Sequence, residues 1–247
     1  MANWNDPQPT GRGFGASPSL SGTSTRGEVF DAGLRRHMLS IYNYMASGVM
    51  LSGIVALMAV TSGMTQAVAG TPLMWLVMLA PLAFVLFMSF GANKFSTTAL
   101  QGMFWGFAVA MGLSMSTIFL VYTGASIATT FFATAGAFAG LSLYGYTTKK
   151  DLSGMGSFLI MGVFGLLIAS LLNMFLKSSG LGWAISFLGV LIFAGLTAYD
   201  TQRLKEQYAY VAGTDFAGKA VVLGALSLYL DFINMFQFLL QFMGERR

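Results

Sequence analysis

Polar residues are rare along most of this chain, and they cluster at intervals. Between the clusters lie seven apolar blocks, at roughly 38–62, 73–92, 99–122, 125–147, 155–176, 181–202 and 220–243. Each is long enough, as a helix, to cross a hydrocarbon core of ~30 Å. The pattern predicts an all-α membrane protein with seven transmembrane helices. The connections are short except for 203–219. Small-residue spacings at Gly102/Gly106, Gly136/Gly140 and Gly162/Gly165 read as ordinary helix-packing devices. The first 30 residues are rich in Gly, Ser, Thr and Pro and hold no apolar stretch. They cannot bury enough surface to fold and read as a disordered tail, with 31–247 as the transmembrane domain. Without an apolar core of its own, the tail is not a signal peptide, so the first span is expected to direct insertion.

Composition agrees with the pattern. The chain is 55% hydrophobic and 9% charged, against about 25% charged in a soluble domain. It has no cysteine, which excludes disulfides and thiolate metal sites. The net charge of +4 is no nucleic-acid signature, because the cations are spread over loops and biased to one side of the membrane. With the N-terminus in the cytoplasm, that side holds Arg12, Arg26, Arg35, Arg36, Lys94, Lys149, Lys150, Arg203, Lys205 and Lys219, and the other only Lys177, Arg246 and Arg247. The positive-inside rule then gives a cytoplasmic N-terminus and an external C-terminus.

Most acidic residues fall in the tail, the loops or the C-terminus. Asp200 and Asp231 alone lie within or at the edge of an apolar block. Asp231 is the only charge in VVLGALSLYLDFINMFQFLLQFMG, residues 221–244, near its middle. An ionised Asp at the centre of a membrane helix costs about 2.5–3.5 kcal/mol on insertion scales, so it reads as part of an ion or proton path. At 100° per residue, Gly224, Ser227, Asp231, Asn234 and Gln241 share one stripe of an otherwise apolar helix. Such a stripe faces the bundle interior, which puts the seventh helix in the middle, with Ser227 and Asn234 as candidate lining of a pathway. Those two could equally hydrogen-bond a neighbouring helix. Asp200 sits where the sixth block ends, followed by Arg203 and Lys205. It reads equally as a solvated residue with an i,i+3 partner.

The segments ALSLYLDFINMFQFLLQFMG (225–244) and AGLTAYDTQRLK (194–205), with the KKDLS loop at 149–153, resemble the Bax inhibitor-1 family over roughly 35–244. The resemblance implies a six-helix bundle around a central seventh helix in a bacterial inner membrane. It also implies a pH-sensitive Ca²⁺ leak controlled by two aspartates, which by motif are Asp200 and Asp231. Bacterial members carry an Arg near the cytoplasmic end of the second helix that latches the aspartates. The matching stretch MSFGANKFSTTALQG has no Arg, and Lys94 is its nearest cation, a point charge without Arg's bidentate fork. Two carboxylates in contact cannot both ionise cheaply, so they titrate as a pair. The same oxygens, once ionised, are hard ligands for a transient Ca²⁺. The two carboxylates are therefore expected within hydrogen-bond reach.

An enzyme is not expected. Intramembrane aspartyl proteases also pair two aspartates, one in a Tyr-Asp context like Tyr199-Asp200, but their second aspartate follows Gly-x-Gly, and here Leu228-Tyr229-Leu230 precedes Asp231. No cofactor is implied. The expected partners are the lipid bilayer and Ca²⁺ or H⁺. The alternative is a non-conducting regulator that binds another membrane protein, such as a quality-control protease.

Overall fold

A computed structural model describes residues 21–247, with side chains from Glu28 onward. Residues 1–20, most of the expected tail, lie outside the described residues. The elements are α1 (Ser21–Thr61), α2 (Met64–Val68), α3 (Leu73–Gly91), α4 (Thr97–Met115), α5 (Ile118–Val121), α6 (Gly124–Thr147), α7 (Ser153–Leu176), α8 (Ser179–Val211) and α9 (Ala217–Met243). Among the described residues, seven helices are long and apolar enough to cross a membrane: α1, α3, α4 continued by α5, α6, α7, α8 and α9. Large apolar side chains such as Phe87, Phe90, Phe132, Phe158 and Phe175 stand exposed on the outside, the arrangement expected where the surrounding solvent is lipid.

Helix boundaries follow local chemistry. Ser96, Thr123 and Ser178 accept the backbone N–H of Ala99, Ser126 and Leu181, capping α4, α6 and α8. Gly63 turns the chain after α1 at φ 76°, a left-handed conformation that favours glycine.

The departure from the sequence pattern that bears most on the site is α8. It does not stop at Asp200 but runs eleven residues further, to Val211. The extension, TQRLKEQYAYV, is made largely of good helix formers, and it is tied sideways. Gln202 donates to Lys150 O at 2.8 Å and accepts from Leu152 N at 2.9 Å, while Lys205 Nζ donates to Tyr146 O at 2.8 Å. The long loop expected at 203–219 therefore shrinks to 212–216, and Glu206 is helical rather than a loop residue. At the other end of the sequence, α1 already covers residues 21–30.

The most extensively buried helix is α9. It packs on α8, α1, α6, α4 and, at one end, α3, while α7 is attached through α8. Its fully buried Tyr229 shows how the core is pinned. Ser52 Oγ of α1 lies 2.7 Å from both Ala108 O of α4 and the Tyr229 hydroxyl. If Ser52 donates to the carbonyl, Tyr229 donates to Ser52, and three helices share one satisfied buried polar knot.

Close helix approach occurs at only some of the spaced glycines: a Cβ at Gly106 would lie 3.0 Å from Phe84 and one at Gly162 2.9 Å from Ile192. A Cβ added at Gly102, Gly136, Gly140 or Gly165 would meet nothing within 4 Å. Backbone comes close at Gly112, where a Cβ would lie 2.6 Å from Ser52 O, and at Gly145, where it would lie 3.0 Å from Ala198 Cα.

The connections divide into two ends. Lys219 Nζ donates to Ala92 O, and Lys205 to Tyr146 O, gathering the α3–α4, α6–α7 and α8–α9 connections at one end. At the other, Thr123 N donates to Glu245 O and Arg247 N to Val121 O, tying the C-terminus to the α5–α6 turn.

Candidate functional site: an aspartate pair between α8 and α9

Continuation of α8 places Asp200 inside a helix, where its side chain faces α9 and is 6% exposed. The Ser227 hydroxyl of α9 donates to Asp200 Oδ2 in a short hydrogen bond. Arg203, one turn along α8, places Nη2 3.2 Å from Asp200 Oδ1 and donates to Ser227 Oγ at 3.2 Å. Asp200, Arg203 and Ser227 form a closed triangle across the α8–α9 seam. Charge-assisted bonds of this kind are about twice as strong as neutral ones. The i,i+3 partner considered for Asp200 is present, but the aspartate is buried, not solvated.

Asp231 follows Ser227 by four residues, one turn and ~6 Å along α9. It is 5% exposed, and its Oδ2 is buried without a hydrogen-bond partner among the described residues. The two aspartates are thus neighbours on facing helices, but among the described residues no hydrogen bond joins their carboxylates. Asp200 is engaged by Ser227 and Arg203, and the Ser227 tie between α8 and α9 lies one turn from Asp231.

The rest of the polar stripe divides by role. Asn234 donates to Leu230 O at 2.8 Å, a bond within its own helix. Gln241 Oε1 accepts from Ser186 Oγ of α8 at 3.3 Å. Lys94, the candidate latch, lies in the exposed turn between α3 and α4 and makes no ion pair among the described residues. The cation against Asp200 is Arg203, from the same helix. Its i,i+3 spacing is the signal the sequence carried for this pair.

A cavity of about 580 Å³ opens between α3, α8 and α9 and is lined by Ser89, Arg203, Glu206, Gln207, Tyr210 and Ser227 among others. Glu206 and Gln207 are members of this vestibule that the sequence pattern did not reveal. Another polar cavity, of about 590 Å³, lies at the opposite end, among Asn173, Lys177, Trp183, Ser186, Gln241 and Arg246. The stripe on α9 runs from the first to the second, over ~21 Å between Ser227 and Gln241.

A resident metal would need more than this. Ca²⁺ takes 6–8 oxygen ligands, and among the described residues no cluster of three or more His, Cys, Asp or Glu side chains is formed.

Comparison with known proteins places this architecture. Residues 34–247 match the family described as "Inhibitor of apoptosis-promoting Bax1". The chain is 44% identical over 220 residues to the inner membrane protein YbhL of Escherichia coli K12, covering 87% of this chain and 94% of that relative. It is 49% identical over 231 residues to an uncharacterized protein of Caulobacter vibrioides, covering 88% and 91%. It is 45% identical over 231 residues to an uncharacterized protein of Rickettsia prowazekii, covering 91% and 96%. With seven apolar spans, the paired aspartates on α8 and α9 and a match running from α1 to the last residue, this chain is a multi-pass membrane protein belonging to the Bax inhibitor-1 family.

Proposed function

We propose that this protein is a pH-sensitive, Ca²⁺-permeable leak pathway of the bacterial inner membrane, with Asp200 and Asp231 as its gate. The observation that carries the reading is the buried Asp231 oxygen left without a partner beside the Asp200–Arg203–Ser227 triangle. Such an oxygen is tolerated as part of a neutral carboxylic acid or against a cation, and is costly as an isolated anion. In the closed state Arg203 offsets the charge of Asp200, and Ser227 ties α8 to α9. Loss of the Asp231 proton puts a second negative charge one turn from Asp200. That charge is relieved by separation of the helices or by a cation drawn from the vestibule at Glu206. The ionised carboxylates supply hard oxygen ligands, and the polar stripe leads the ion toward Gln241 and the opposite cavity.

In this reading the leak rises with pH. Purified protein in dye-loaded liposomes should admit Ca²⁺ without any other protein. Folded protein that gives no flux above empty liposomes at any pH would replace this reading with that of a non-conducting regulator acting on another membrane protein.

A further inference from the structure

One cavity lies away from the aspartates. It is a groove of about 850 Å³ between α1 and α6, floored by Phe138 and Phe232. Both helices pack on α8 and α9, and the groove separates them. On α1 it runs from Arg35 to Met50, and on α6 from Tyr146 back to Phe131, ~22 Å on each helix. Half of a ~30 Å hydrocarbon core is ~15 Å, so the groove exceeds the depth of one leaflet. Its walls are apolar, with Leu39, Ala46 and Val49 facing Ala135, Ala139 and Leu143. Three of these are alanines, Ala46 on one wall and Ala135 and Ala139 on the other, which leaves width for a chain rather than for a side chain.

One end is different. Arg35 lines the mouth and makes no ion pair among the described residues. Tyr146 lines the same end, and Lys205, from outside the lining, places Nζ 5.2 Å over its ring and donates to its carbonyl, while Lys149 and Lys150 follow α6 directly. Glu28, Asp31, Asp151 and Glu206 are acids in or next to these segments, and Arg35, Arg36, Lys149, Lys150 and Lys205 outnumber them. A narrow apolar channel of acyl-chain length, open to the bilayer and headed by unpaired cations, has the form of a lipid site rather than of a helix interface.

We propose that the α1–α6 groove binds an anionic phospholipid, one acyl chain lying along the alanine walls and the phosphate held by Arg35 with Lys205 beside it. Near a membrane surface each Lys or Arg contributes about 1 kcal/mol toward an anionic lipid, which is roughly a fivefold preference per cation. The site rests on its own geometry and not on the proposed leak.

Native mass spectrometry of the purified full chain, titrated with phosphatidylglycerol or phosphatidylcholine, tests it. The first phosphatidylglycerol should bind at least roughly fivefold more tightly than phosphatidylcholine, and Arg35→Gln should remove that preference. Ala139→Trp and, from the other wall, Ala46→Trp should abolish tight binding of both lipids, while Ile168→Trp on exposed α7 should leave it unchanged. Melting temperature monitors folding of each variant. Equal binding in wild type and in whichever groove-filling variant stays folded would mean only annular lipid and would overturn the site. Oleate that binds as tightly as phosphatidylglycerol, whether or not Arg35 is present, would overturn the phosphate contact.

Discussion

Arg203 is the residue that most changes the reading of the gate. It neutralises Asp200 across 3.2 Å and lines the vestibule, so it both holds the seam and repels cations. Arg203→Gln should raise Ca²⁺ flux at neutral pH, by roughly tenfold at low ionic strength and less at high salt, as expected for a charge that acts on local ion concentration. Flux in liposomes at two salt concentrations checks this; an unchanged or lower flux would mean that Arg203 only braces the helices. Glu206 lines the same cavity, so Glu206→Gln should lower flux. Asp215, exposed between α8 and α9, is the control. Asp151 bears on the pH axis. Hydrogen bonds from the Ser153 side chain and backbone hold it below its ordinary value of 3.8. A carboxyl lowered on folding contributes fully above that ordinary value, and the contribution is lost as pH falls through the folded one. Asp151→Asn should therefore leave the profile between about pH 6 and 8 unaltered.

At the scale of the helices, the tight contact at Gly145 supplies a test of packing. A side chain there would press on the backbone of α8 at Ala198, next but one to Asp200. Gly145→Val should destabilise the fold by about 1–3 kcal/mol, whereas Gly140→Val, which meets nothing, should be nearly silent; thermal melting of the purified variants compares them. This contrast shows what the sequence carried and what it did not. The spans were legible because each must be about twenty apolar residues long whatever it touches. Which glycine touches a neighbour was not, because lipid and helix neighbours are both apolar and leave the same sequence pattern. The extension of α8 was hidden for a related reason. Hydropathy falls after Asp200, yet the polar residues beyond it continue the helix and anchor it to the α6–α7 loop through Gln202 and Lys205. Asp200 and Asp231 could be found as the membrane's acids, but the Ser227–Arg203 arrangement between them depends on helix rotation, which charge spacing alone does not determine.

Across the whole molecule, the connections holding Lys94, Lys149, Lys150 and Lys219 gather at one end, and the C-terminus lies at the other with the α5–α6 turn. The positive-inside rule assigns the lysine-rich end to the cytoplasm. Alkaline phosphatase fused after Arg247 should be active, and fused after Lys150 inactive; the reverse would invert the orientation. That orientation makes the Arg203 vestibule the cytoplasmic mouth of the proposed pathway and exposes the gate to cytoplasmic pH. The central claim is that ionisation of Asp231 opens this pathway, and the most direct test is Ca²⁺ influx into proteoliposomes compared between about pH 6 and pH 8. Wild-type flux should rise with pH. Asp231→Asn keeps a neutral hydrogen-bonding group of the same shape but cannot ionise, so its flux should be low and flat across the range. If Asp231→Asn reproduces both the wild-type flux and its pH dependence, Asp231 is not the gate.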